Sequence, residues 1–247
     1  MKPVVVRGVK IGDGIPKICV PIAEKSLEDI IEAAKQIVES TADLVEWRAD
    51  WFEDVHDFDK VEKVLNSLRN ILGEIPILFT IRSLTEGGEK AFDEETYVSL
   101  NKKAVDTDCA DLIDVEVLHY KNAAKELTEY AHKASVAVIA SNHDFEKTPE
   151  EEQLISKIES MELYDADILK IAMMPKTMED VDLLLNVSNG MKEKLSNPLV
   201  AISMTELGLK SRLVSVITFG TVGKASAPGQ ISAYELKKMI KHDTITL

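Results

Sequence analysis

VAVIASNHDFEKTPEEEQLISKIESMELYDADILKIAM, residues 136–173, holds one complete repeat of the fold. VAVIASNH (136–143) and ILKIAM (168–173) are apolar runs of strand length. Between them, Thr148, Pro149 and Glu151 read as a cap, a first-turn proline and a capping-box glutamate. Leu154 and Ile158 then mark one helical face. A strand, a helix and a second strand of this kind make a parallel pair with a helical crossover.

The alternation continues in both directions. Six more strand-like runs stand at 17–22 (KICVPI), 44–50 (LVEWRAD), 77–83 (ILFTIRS), 112–117 (LIDVEV), 199–204 (LVAISM) and 216–222 (VITFGTV). Helical patterns lie between them: Ser26 with Asp29 opens a face of Leu27, Ile30, Ile31, Ala34, Ile37 and Val38. Val61, Val64, Leu65 and Leu68 mark another, and Ser232 with Glu235 opens the last. Eight such strands without a Pro/Gly/Ser-rich linker predict an α/β protein, a single (β/α)8 TIM barrel over residues 1–247. The rival, an open doubly wound sheet, lacks its glycine-rich fingerprint after the first strand. VVVRGVKIGDG (4–14) reads as a β-hairpin with a Gly-Asp-Gly turn, covering the barrel floor. The seventh crossover, 205–216, is short, which predicts a helix of about one turn there.

Composition narrows the function. The chain carries 29 basic and 43 acidic residues, a net charge of −14, and no basic run exceeds two residues. Such a chain repels polyphosphate, so neither nucleic acid nor an anionic membrane is expected as a partner. Cys19 and Cys109 form no metal or disulfide spacing, and no signal-like or membrane-spanning run is present, which together read as cytoplasmic.

The strands break the apolar rule in one consistent place. Glu46, Arg48 and Asp50 share a strand face, as do Thr80 and Arg82, Asp114 and Glu116, and Ser141 and His143. Lys170 stands alone in the middle of ILKIAM. These charges gather toward the C-terminal ends of consecutive strands, where barrel enzymes build their sites. A buried lysine beside arginines has its charged form disfavoured, which makes it a nucleophile toward a ketone or aldehyde. A histidine one strand away can take the proton next to the resulting iminium. Arginines imply an anionic substrate, most simply a carboxylate. These residues therefore point to Schiff-base chemistry on a small keto acid, with dehydration and aldol cleavage both open.

The chain resembles the type I 3-dehydroquinate dehydratases in EWRAD (46–50), FTIRSLTEGGE (79–89), SNHDFEKTP (141–149), KIAMMP (170–175) and KASAPGQIS (224–232). The resemblance implies that Lys170 forms a Schiff base with the C3 ketone of 3-dehydroquinate. His143 would take the C2 proton and hand a proton to the departing C1 hydroxyl, a syn elimination giving 3-dehydroshikimate in the shikimate pathway. Glu86 would orient His143, and Arg212 would hold the substrate carboxylate. Glu46, Arg48 and Arg82 would contact the ring hydroxyls or the reacting region. Ser226 and Gln230 would close over the substrate, with Met204 and Phe219 as apolar walls. No metal or dissociable cofactor is implied, and the family is generally homodimeric. Asp50, Asp114 and Glu116 are left as supporting lumen charges.

One departure bears on this picture. Only LVSVI (213–217) separates Arg212 from Thr218, fewer residues than the family's pattern, which questions how Arg212 is posed. Two other readings follow. One is a catalytically impaired barrel of the family that binds a carboxylate ligand. The other is a class I aldolase-like Schiff-base enzyme, for which SAPGQIS (226–232) makes a poor phosphate cradle.

Overall fold

The structure, a computed structural model, describes residues 2–223 and 230–246, with side chains through residue 242. Among the described residues, ten strands and eight α-helices follow in chain order. A hairpin, β1 (Val4–Val6) and β2 (Val9–Ile11), precedes the barrel. The barrel strands are β3 (Lys17–Ile22), β4 (Leu44–Arg48), β5 (Ile77–Thr80), β6 (Leu112–Val115), β7 (Ala137–Asp144), β8 (Ile168–Met173), β9 (Leu199–Ser203) and β10 (Ile217–Phe219). All are parallel to their neighbours, in the order β10-β3-β4-β5-β6-β7-β8-β9. The helices α1 (Leu27–Val38), α2 (Phe58–Leu72), α3 (Glu94–Asp106), α4 (Lys121–Lys133), α5 (Glu151–Glu162), α6 (Met178–Lys192), α7 (Leu209–Val214) and α8 (Ala233–Thr246) alternate with them. This is the (β/α)8 barrel that the alternation predicts.

Two cores result from the period-two alternation of each strand. Outward residues such as Val45, Trp47, Phe79, Ile113 and Leu169 pack under the helices. Inward residues Cys19, Leu44, Leu78, Leu112, Ile139, Ile168 and Ile217 fill the lower lumen. Val6 and Ile11 of the hairpin join this second core, so the hairpin plugs the barrel floor. Arg7 pairs with Asp111, which also pairs with Arg69 of α2, fixing the plug from outside.

Several local expectations are corrected. The hairpin turns at Arg7-Gly8, both at positive φ (43° and 79°), and the Gly-Asp-Gly segment follows β2 instead. Two positive φ values are what the right-handed twist of a two-residue hairpin requires. Thr148 does not cap α5: its hydroxyl donates to the Met174 carbonyl, and Glu150 takes the cap position. Several strands also stop earlier than their apolar runs. After Arg48 the chain turns into a single 3-10 turn, Ala49–Trp51, so Asp50 lies beyond the strand.

The short seventh crossover has its own solution. On β9, residues 198, 200, 202 and 204 face the β8 edge, leaving the Ala201 and Ser203 amides on the other edge. Those amides donate to the hydroxyls of Ser215 (3.2 Å) and Ser211 (2.9 Å). The serines flank or belong to the six-residue α7 and seal the barrel between β9 and β10. At Gly208 a Cβ would lie 1.8 Å from the Ser203 carbonyl, so only glycine lets α7 start this close to the strand. Among the described residues, no helix is long and apolar enough to cross a membrane.

Candidate active site

Above the apolar floor, the lumen turns polar in one layer and cationic in the next. Glu46, Thr80, Asp114, Ser141 and Lys170 sit one inward step above Leu44, Leu78, Leu112, Ile139 and Ile168. Lys170 Nζ lies 3.3 Å from Asp114 Oδ2, 3.8 Å from Glu46 Oε1 and 4.6 Å from the centre of the Phe219 ring. The expectation of a lysine crowded by arginines is thus corrected: carboxylates meet it directly. Lumen spacing explains this, because Arg48 at the end of β4 and Arg82 just beyond β5 stand one step higher.

Both arginines are held by fixed carboxylates. Arg48 donates twice to Asp50, each bond 2.8 Å. Arg82 bridges Asp114 (2.9 Å) and Glu116 (2.8 Å) and donates to Ser141 (3.0 Å). Burial pushes the Asp114 carboxyl upward, but Arg82, Lys170 and its hydrogen bonds win and hold it at about 2. Its folded value lies below the ordinary 3.8, so it stabilises the fold above pH ~4 and the stabilisation fades as pH falls toward 2. The contribution is about 2 kcal/mol. Denaturant unfolding at pH 5, 4 and 3 should show a steeper acid loss for the native chain than for Asp114→Asn. Equal slopes would remove this ion network from the stability account.

Glu86 sits in a tight 3-10 turn, Leu84–Glu86, over the end of β7. The turn can close because Gly87 adopts φ +86° and a Gly88 Cβ would lie 1.9 Å from the Arg82 carbonyl. Glu86 Oε2 accepts the backbone amide of His143 (2.8 Å) and shares a hydrogen bond with its Nδ1 (2.9 Å), while Oε1 accepts the Asn142 amide (2.9 Å). Glu86 is buried although it stands in a loop between strand and helix. Burial, with Glu116 adding to it, pushes the Glu86 carboxyl up to about 8, against Arg82 and its hydrogen bonds. Burial and then Arg82, Lys170 and Arg48 hold the His143 imidazolium well below its ordinary value. The two titrate as one unit. Because Nδ1 and Oε2 share a hydrogen bond, Nε2 can accept a proton from the cavity only in the form of the pair that carries a single proton.

A single cavity of about 220 Å³ gathers these groups. Lys170, His143, Glu86, Glu46, Arg48, Arg82, Arg212, Met204, Phe219 and Gln230 all line it. Ser226 lies outside the described residues. Arg212 reaches the cavity from α7 despite the short crossover, and burial lowers its guanidinium to about 10, still cationic at neutral pH. Phe145, Ala172 and Ile202 also line the cavity and were not anticipated. For Ala172 and Ile202 the signal was present, since they stand two residues from Lys170 and Met204 and repeat the inward face of β8 and β9, whereas Phe145 lies just beyond β7. Among the described residues, no group of three or more His, Cys, Asp or Glu side chains is arranged to hold a metal ion.

A lysine in the lumen, a histidine backed by a carboxylate and an anion-ready rim place the chain among (β/α)8-barrel lyases. It belongs to the type I 3-dehydroquinase family, whose model matches residues 18–246. A 3-dehydroquinate dehydratase of Listeria monocytogenes serotype 4b is 46% identical over 245 residues, 97% of each chain. The crystal structure of type I 3-dehydroquinate dehydratase from Clostridium difficile with covalently modified comenic acid superimposes with a TM-score of 0.96. It is 42% identical and covers all of both chains. The 3-dehydroquinate dehydratase of Geobacillus kaustophilus gives the same TM-score at 34% identity, over 99% of this chain and 97% of that one.

Proposed function

We propose that this chain dehydrates 3-dehydroquinate to 3-dehydroshikimate through a Schiff base on Lys170. The observation that carries the reading is the placement of Lys170 and the Glu86–His143 pair on one small cavity. The Lys170 amine adds to the C3 ketone and, with loss of water, forms an iminium. The iminium draws electrons from the neighbouring C2–H bond, and His143 Nε2 takes that proton. The C1 hydroxyl leaves with a proton returned from His143, so one water is expelled and a conjugated double bond forms. Water then hydrolyses the imine and regenerates the lysine.

The surrounding groups suit this sequence. Asp114 and Glu46 face Lys170 and balance the positive charge of the iminium. Arg212 holds the substrate carboxylate, while Glu46, Arg48 and Arg82 contact the ring or the reacting region. Met204 and Phe219 form apolar walls, and Gln230 lines the same cavity. No step calls for a metal or dissociable cofactor. A cytoplasmic location, supported by the cysteine usage, and a homodimer, supported by the resemblance, belong to the same proposal.

The test uses substrate and borohydride together. Incubation with 3-dehydroquinate should raise the enone absorbance, and borohydride should leave a mass adduct that peptide mapping places on Lys170. Absence of both enone and adduct would overturn the reading. An adduct without enone would select the impaired barrel that only binds.

A further inference from the structure

On β7, Ser141 and His143 face the lumen, so Asn142 between them points outward, toward the helices. That layer is otherwise apolar, filled by Val138, Ala140, Leu154 and Ile158. Asn142 is nevertheless polar and buried. Its Nδ2 donates to Glu86 Oε1 at 2.9 Å, and its Oδ1 accepts from Lys157 Nζ of α5 at 2.8 Å. The chain of contacts runs from the helix layer to the ring of His143.

We propose that Asn142 and Lys157 are positioning residues for His143, acting through Glu86; this rests on the dehydratase reading above. The direction of the chain is fixed by chemistry. An ammonium only donates, so the Asn142 carbonyl must turn to Lys157. Its amide NH2 then faces Glu86 Oε1, which accepts it. Oε1 is thereby occupied by a neutral donor, and Oε2 is left for the backbone amide and Nδ1 of His143. The ring is held with Nδ1 toward Glu86 and Nε2 toward the cavity.

The same bond bears on titration, together with the groups around it. Arg82 from just beyond β5, Glu116 from just beyond β6, Lys170 from the neighbouring β8 and Arg48 from the end of β4 all act on the Glu86–His143 pair. Against that background, the Asn142 donor favours the ionised carboxylate, as does Arg82, whereas burial and Glu116 favour the neutral acid. Removing the donor raises the proton affinity of the pair. Nε2 then stays blocked to a higher pH, and the acid limb of the rate profile moves upward.

Lys157→Met keeps most of the stem volume and removes the ammonium. It should lower kcat about three- to tenfold at neutral pH, shift the acid limb of kcat to higher pH, and leave KM within about twofold. Lys157→Arg, which again can only donate, should restore both kcat and the limb. Asn142→Asp replaces the donor with an acceptor facing Glu86 and should shift the limb further, with a loss of about tenfold or more. Thermal unfolding confirms that each variant is folded at the assay temperature. Borohydride trapping on Lys170 in the unchanged chain reports separately on the Schiff-base reading. If the unchanged chain turns over and traps while folded Lys157→Met and Asn142→Asp keep its acid limb, the positioning role is wrong. A loss of kcat with an unmoved limb, or no rescue by Lys157→Arg, overturns it equally.

Discussion

Lys170→Ala is expected to abolish 3-dehydroquinate turnover and the borohydride-fixed adduct together. The amine is the only part of the proposed sequence that bonds to substrate, so its removal deletes the iminium and its electron withdrawal at C2. A loss of more than about 10⁴-fold in kcat/KM corresponds to roughly 5.5 kcal/mol of transition-state stabilisation. Lys170 also separates the Asp114 and Glu46 carboxylates, lying 3.3 Å from one and 3.8 Å from the other. The variant therefore needs a check of its unfolding midpoint, and Lys170→Met serves as a bulkier second test. Turnover near the native rate in either folded variant would end the Schiff-base reading.

His143→Ala should behave differently. Loss of the proton acceptor is expected to lower kcat about 10²- to 10⁴-fold. The lysine remains, so borohydride should still fix substrate on Lys170. The acid limb assigned to the Glu86–His143 pair should disappear from the residual rate. That combination separates a damaged proton relay from a damaged nucleophile. A His143→Ala enzyme that kept the native acid limb would assign that titration to another group.

The two variants divide along a structural line. Lys170 is centred on β8, where backbone pairing with Ser141 and Val200 on both sides fixes its height in the lumen. His143 lies two residues higher on β7, where its orientation depends on Glu86 from a separate turn. Strand register places the nucleophile; a loop contact sets the base. Substitutions around Gly87 and Gly88 should accordingly affect the proton steps more than imine formation.

Much of this was legible from the chain because strands have a period of two. Glu46 and Arg48, Thr80 and Arg82, and Lys170 within ILKIAM announce a polar lumen face without coordinates. The same period includes Ala172 and Ile202, which went unnamed because an apolar side chain carries no mark of lining a cavity. Glu86 is a different case. Its loop position carries no periodic mark, so the resemblance alone named it as the partner of His143, and the fold brings it within 2.9 Å of Nδ1. Asn142 was hidden for the opposite reason, since strand parity assigns it to the helix layer. Its partners, Glu86 and Lys157, are 56 and 15 residues away.

By itself, the sequence determined the eight-strand alternation, the parity of each strand and hence the chemical inventory of the lumen. These depend on local periodicity and on which side chains can bear burial. Tertiary structure alone decided which charge neutralises which, how Glu86 meets His143 and how a six-residue α7 still brings Arg212 to the cavity. Those outcomes depend on distances between residues remote in the chain. A carboxylate's partner, unlike a strand's inward face, is fixed only when the barrel closes.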